Sequence, residues 1–288
     1  MTKNVSLAVI GGSGLYDMPG LKNAKKHDVQ TPFGKTSAPI VVGNLDGVRV
    51  AFLARHGIGH CFNPTEVPYR ANIYALKALG VERVISISAC GSLREDYAPG
   101  HIVIPDNLFD YTKDRARSFF GEGLVAHIGV ADPFCGALSN QLEEAVRVTG
   151  AVTHHGGSFI TIEGPRFSTK AESNTYRAWG MSIIGMTSSP EAFLAREAEM
   201  CYAIMAHVTD YDVWHHSESP VTVDMVIQIL NKNTHVAQEA IRNLARDLKA
   251  ERTCECGQAL STALITNPKV VPAKTKKKLK LLVGKYLK

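Results

Sequence analysis

The chain has no apolar run that approaches the ~20 residues needed to cross a bilayer. Its first apolar stretch, Val5 to Ile10, starts too early and is too short for the centre of a secretory leader. A soluble, cytoplasmic protein is therefore expected. No repeat, linker or low-complexity break interrupts residues 5–250, which argues for one domain. The six cysteines, Cys61, Cys90, Cys135, Cys201, Cys254 and Cys256, do not form a disulfide framework. Only Cys254-Glu255-Cys256 is a close pair. Without a second pair or nearby histidines it is a weak zinc candidate; a thiol pair in an exposed loop is expected, with a strained, redox-sensitive disulfide as the alternative, and no metal is assigned.

Acid is missing from the end of the chain. Lys269 to Lys288 carries eight lysines, so the formal charge of +5 conceals a body with 24 basic against 27 acidic residues, about −3. The tail has no interleaved aromatics, and Leu279, Leu281, Leu282 and Tyr286 suit an amphipathic helix with a solvated lysine face. A domain over residues 1–252 is expected, followed by an extension over 253–288 that holds the Cys pair and a helical tail. Neither nucleic acid nor membrane is expected as a partner.

Two nucleotide signatures are also absent. Val5 to Ile10 reads as a strand feeding Gly11-Gly12-Ser13-Gly14, but Asp17 stands at the third glycine position of a dinucleotide fingerprint. Gly34-Lys35-Thr36 is preceded by Val29 where a triphosphatase loop needs glycine. What remains is a glycine turn that can aim backbone N–H groups and the Ser13 hydroxyl at an anion.

What is present is alternation of strands and helices, the pattern of an α/β domain. Residues 40–54 read as a hairpin around Asn44-Leu45-Asp46-Gly47 that delivers Arg55-His56 to a strand end. Arg suits bidentate phosphate contact, and His56 adds a donor. A helix is predicted over 68–79 and a strand over 84–88, ending on a small-residue turn, Ala89-Cys90-Gly91-Ser92. A strand over 102–106 precedes a polar excursion over 110–123. Helices over 138–149, 171–179, 190–200 and 223–248 alternate with strands over 158–162, 183–187 and 201–208. The last strand ends on Asp210-Tyr211-Asp212. Acids one residue apart on extended chain face opposite ways, so a shared site requires a turn there.

Eight segments in register resemble the purine nucleoside phosphorylase superfamily, and within it the 5′-methylthioadenosine phosphorylases. They are VIGGSGLYD at 9–17, TPFGKTS at 31–37, ARHGIGH at 54–60, ACGSLRE at 89–95, PGHIVIPD at 99–106, TIEGPRFST at 161–169, GMTSSPE at 185–191 and TDYDVW at 209–214. The resemblance implies a single α/β domain with a mixed central β-sheet flanked by helices, assembled as a trimer or a dimer of trimers. It also implies phosphorolysis of 5′-methylthioadenosine, with inorganic phosphate as co-substrate and no cofactor; the alternative is a broader-specificity purine nucleoside phosphorylase acting on 6-oxopurine nucleosides or methylthioinosine. Carried over by position, Ser13, Arg55, His56, Ser88, Ala89 and Thr187 would hold phosphate. Ala89, Cys90 and Gly91 would approach the nucleoside, Phe167 would stack on the purine, and Met186 would lie against the ribose. Asp210 and Asp212 would address the base edge. Val223 and Val226 would wall the methylthio group, with His60 and His127 at its border or reaching in from a neighbouring subunit.

The chemistry of such a reaction points the same way. Breaking an N-glycosidic bond builds positive charge on the sugar and negative charge on the purine, so an acid at the base and an anion at the sugar both favour the transition state. Asp210 is the candidate acid, and burial must raise its pKa for that role. Phosphate is already a nucleophile, which removes the need for a Ser-His or Cys-His pair. Relatives acting on 6-oxopurines carry Glu in the Gly-Pro loop and Asn at the acid position, whereas Ser168 and Asp210 stand here. A carboxylate accepts from a 6-amino group, which favours adenine. Ser13 and Ser88 replace threonines common in the family, and 185–189 is intermediate between its branches.

Overall fold

The computed structural model describes residues 5–12, 18–215, 223–249 and 251–287. Its centre is made by the apolar, β-branched runs. β1 (Leu7–Gly11), β4 (Val48–Ala54), β5 (Arg83–Ser92) and β11 (Cys201–Asp210) lie parallel in the order β4-β1-β5-β11. A parallel core needs cover on both faces. Side chains of α1 (Tyr69–Ala78) and α4 (Ser188–Glu197) pack on one face. Those of α2 (Gly136–Arg147) and α5 (Val223–Asp247) pack on the other.

β3 (Ile40–Leu45) forms the expected hairpin with β4, and β2 (Lys22–His27) adds an edge. β10 (Ile183–Gly185), β9 (Ser158–Ile162) and β7 (Asn107–Tyr111) continue the sheet beyond the end of β5. β6 (Ile102–Ile104) and β8 (Thr153–His155) attach through β11. α3 (Lys170–Ala178) is closed by a capping box between Thr169 and Glu172, the local signature of a helix start. Among the described residues the result is a mixed eleven-stranded sheet with flanking helices, the architecture that the resemblance implied.

Two details of β5 position everything that follows. The expected turn at Ala89-Cys90-Gly91-Ser92 is not a turn: the strand runs straight through it to Ser92. Its small residues serve close approach instead. On one edge β11 accompanies β5 from Arg83 to Gly91. On the opposite edge β1 pairs only from Val84 to Ser86, and β10 pairs only at Gly91 and Ser92. Residues 87–90 therefore face a gap where the strand order changes, the place where open α/β sheets receive ligands.

The extension beyond residue 252 is not loose. Leu260, Ala263, Val271, Leu279, Leu282 and Val283 join the core on the α1/α4 face. The predicted tail helix is two short ones, α6 (Ala273–Lys278) and α7 (Lys280–Val283). The exposed thiol loop is also corrected, since Cys256 is buried and Cys254 half-buried. Among the described residues, no helix is long and apolar enough to cross a membrane.

Candidate active site

Two groups of polar side chains flank the gap beside β5. In the first, Arg55 directly follows β4 and is 3 % exposed. Its Nη1 donates to the carbonyl of Ile87 (3.0 Å), and its Nη2 lies within donating distance of the Ser86 hydroxyl (2.6 Å) and the carbonyl of Ile10 (3.2 Å). The bidentate contact expected for phosphate goes elsewhere: Nε and Nη2 clasp the buried carboxylate of Glu191 at 2.9 and 3.0 Å. A carboxylate is the better bidentate partner for a buried guanidinium because both charges leave water together. Burial alone would lower the Arg55 pKa, but the charge and hydrogen bond of Glu191 outweigh it and hold the group above its ordinary value. Arg55 is thus chiefly a fixed positive charge under Ser86 and Ser88, whose hydroxyls lie 3.2 Å apart.

His56 also departs from expectation. Its Nδ1 lies 2.9 Å from the carbonyl of Phe62, which can only accept, so Nδ1 carries the hydrogen. Burial and the neighbouring Arg55 push the ring down to about 4, leaving it neutral near pH 7. Its Nε2 then accepts rather than donates and suits the hydroxyl of a protonated phosphate. His60 is exposed and stacks on His56 at 4.2 Å. Thr187 is 7 % exposed at the N-cap of α4, and its side chain makes no capping bond. β10 runs antiparallel to the end of β5, and a Cβ on its last residue, Gly185, would stand 3.4 Å from the carbonyl of Ala89; Thr187 follows two residues later.

The second group lies about four residues further along β5, roughly 13 Å of extended chain. Here β11 shifts register between Val208 and Asp210. The turn needed to bring both acids together is present: Asp212 has φ of 52° and its N–H donates to Asp210 Oδ1 at 2.7 Å. Asp210 Oδ2 lies 2.6 Å from the Thr209 hydroxyl, which in turn lies 3.2 Å from the carbonyl of Cys90. That hydroxyl can donate to ionised Asp210, or accept a hydrogen bond from the protonated carboxyl and donate onward to the carbonyl of Cys90. Both protonation states of Asp210 are therefore accommodated. Burial pushes the carboxyl up to about 6, against the two hydrogen bonds that oppose it. Asp212 is also raised by burial, with Ser173 and Ser168 nearby to restrain it.

Gly91 is what lets Asp210 in. A Cβ there would stand 2.9 Å from Asp210 Oδ1 and 3.1 Å from Ile184 Cγ2. Gly91→Ala is expected to displace the carboxyl and lower turnover roughly 10–100-fold with the fold intact, since small misplacements of catalytic groups are costly. Steady-state kinetics beside a circular dichroism melt checks this.

The remaining candidates are placed as follows. Cys90 is buried and Ala89 half-buried on β5. Phe167 is 39 % exposed on the loop between β9 and α3. Met186 is half-buried, and its sulfur lies 2.6 Å from where a Cβ on Gly164 would stand; Gly164 has φ of 65°. Arg115, which no pattern in the polar excursion marked, ties these loops together. It donates to the carbonyls of Met186 (2.6 Å), Ser189 (2.7 Å) and Glu163 (2.6 Å). Val223 opens α5 and is 61 % exposed, so no closed apolar wall surrounds it among the described residues. Ser13 and the Val226 side chain lie outside the described residues. His127 is exposed, and its N–H bonds to the carbonyl of Ala263 at the extension. No contact among the described residues brings it to the strand ends. Glu191, Arg115 and Thr209 are the polar residues of this region that sequence patterns left without a role.

Known proteins resemble the chain over nearly its whole length. A family model described as "Phosphorylase superfamily" matches residues 6–246. An S-methyl-5′-thioadenosine phosphorylase of Koribacter versatilis is 54 % identical over 97 % of this chain and 96 % of its own. One from Geobacter sulfurreducens is 54 % identical over 98 % and 99 %. A crystal structure of a methylthioadenosine phosphorylase from an Antarctic soil metagenomic library superposes with a TM-score of 0.93, at 46 % identity, covering 98 % of this chain and 99 % of that one. A Schistosoma mansoni methylthioadenosine phosphorylase in complex with adenine gives 0.84 at 37 % identity, covering 90 % and 96 %.

Proposed function

The chain belongs to the phosphorylase superfamily, and from that premise we propose that it cleaves 5′-methylthioadenosine with inorganic phosphate to adenine and 5-methylthioribose 1-phosphate. A phosphate oxygen bonds to C1′ as the C1′–N9 bond breaks, and the bond's electron pair leaves on the purine. Asp210 gives its proton to N7, which neutralises the departing base. Ser13, Ser88, Thr187 and the N–H of Ala89 cradle the phosphate, His56 accepts its hydroxyl, and Arg55 supplies fixed charge. Phe167 stacks on the base, Asp212 accepts from the 6-amino group, and Met186, with Cys90 and Gly91, borders the ribose. The reaction needs no cofactor.

Val223 and Val226 form the apolar wall for the methylthio group, with His60 beside it. The open side of that wall supports closure by a neighbouring subunit carrying His127, in a trimer or dimer of trimers. A cluster of exposed aromatics, Phe109, Tyr111 and Trp179, with ring centroids 5.9–6.3 Å apart, supports a subunit contact. A cytoplasmic location completes the proposal, with neither nucleic acid nor membrane as partner.

One observation carries this reading: a carboxyl raised to about 6 by burial stands at one end of a gap whose other end is a buried guanidinium under two serines. Purified protein incubated with 5′-methylthioadenosine should release adenine only when phosphate is added, with one sugar phosphate formed per adenine. Equal release without phosphate would make it a hydrolase.

A further inference from the structure

Four of the six cysteines meet in space. Cys135, Cys201, Cys254 and Cys256 place all their sulfurs within 4.8 Å of one another, and Cys201 and Cys254 sulfurs are 3.3 Å apart. The four come from three separate places: the N-cap of α2, the first residue of β11, and the short 3-10 turn at Glu255–Gln258. Three are buried and the fourth half-buried. A tetrahedral ion with metal–sulfur bonds of ~2.3 Å needs sulfurs ~3.8 Å apart, which this cluster reaches by sub-ångström shifts. We propose that these four cysteines form a structural zinc site that fastens the C-terminal extension to the base of the central sheet.

Binding converts four thiols to thiolates and releases their protons to solvent, leaving the divalent ion and its ligands with a combined charge of −2. The surroundings suit that charge. Arg196 on α4 points Nη1 at the Cys256 sulfur, 3.5 Å away, and its buried Nε has no partner among the described residues. Arg252 lies within electrostatic reach of Cys201 and Cys254 and is held there by a bond from Nη1 to the carbonyl of Glu199. Cys135 also sits at the positive end of α2, where a thiolate is favoured. Guanidiniums and a helix N-terminus around the sulfurs are the outer partners that a tetrathiolate dianion requires, whereas four neutral thiols need none of them. Four protein sulfurs leave no open position, so the site is structural. It lies at the start of β11, while Asp210 ends that strand about 30 Å away.

The test measures zinc and thiols together on the full-length protein. Reduced protein, dialysed against zinc and then metal-free buffer, should retain about one zinc per chain. An organomercurial should release that zinc as four thiols react. Cobalt in its place should give the visible and near-ultraviolet bands of a tetrahedral tetrathiolate. The paired change Cys254→Ser with Cys256→Ser, which leaves the buried Cys135 and Cys201 in the core, should abolish retention and lower the melting temperature by several degrees. Turnover at 25 °C should be unchanged, which separates loss of the site from loss of the fold. Fully reduced, folded protein that retains no zinc and gives no cobalt bands would overturn the proposal. So would zinc retained undiminished by the double variant.

Discussion

Asp210→Ala is expected to lower turnover of 5′-methylthioadenosine by about 10²–10⁴-fold, the range lost with a general acid, while the Michaelis constant changes little. The pH dependence follows from the same group. Its carboxyl titrates at about 6 in the free protein because burial disfavours the charged form. Only the protonated form can give N7 a proton, so kcat/KM should fall as pH rises through about 6. Stability carries the same sign. A carboxyl whose folded pKa lies above its unfolded value of 3.8 stabilises the fold fully below 3.8, and that contribution disappears as pH rises through about 6. Asp210→Asn keeps the shape and both local hydrogen bonds without ever ionising. It should therefore melt higher than the parent above pH 6, by up to about 3 kcal/mol, and show no such gain at pH 3. A variant that is both more stable and far slower cannot owe its loss of activity to misfolding. Thermal melts at the two pH values check this.

Glu191→Ala should be the most damaging change to the fold. It leaves the Arg55 guanidinium 3 % exposed with its bidentate partner gone. Breaking a buried pair in this way costs about 3–5 kcal/mol, or on the order of 10 °C in melting temperature for a chain of this size. The Tyr202 hydroxyl, which donates to the same carboxylate at 2.8 Å, loses its acceptor too. Arg55 would then swing from beneath Ser86 and Ser88, so phosphate saturation should weaken even in the fraction that folds. Replacing both members, Arg55→Met with Glu191→Leu, should recover much of the melting temperature and none of the phosphate affinity. A single Glu191→Ala that melts like the parent would mean the ion pair is solvated in solution.

The strands that carry the site were legible because they are continuous apolar runs, and β1, β4, β5, β9 and β11 all fall where such runs do. Asp210 and Asp212 could be singled out because carboxylates following a fully buried strand are physically unusual. Edge elements escaped detection for the opposite reason. β2 is lysine-rich and exposed, and β7 alternates exposed with half-buried residues, so neither has the pattern of a buried strand. Ala89 to Ser92 reads as a turn in the sequence because small residues mark turns and close-packed strands alike; only pairing with β11 separates them. Glu191, Arg115 and Thr209 lack any local signature, since their roles depend on partners distant in sequence: Glu191 meets Arg55 across 136 positions. The cysteine cluster has no local signature either, because Cys201 and Cys254 are separated by 53 positions.

If Asp210 protonates the leaving base, a leaving group that needs no proton should be indifferent to its loss. A 4-nitrophenyl 5-methylthioriboside departs as a stable phenolate and needs no proton. Phosphorolysis rates of the parent and Asp210→Ala should be compared on this compound and on 5′-methylthioadenosine. The variant should lose at least about 10²-fold on the nucleoside yet remain within a few-fold of the parent on the nitrophenyl compound. An equal loss on both would mean that Asp210 positions the substrate and gives it no proton.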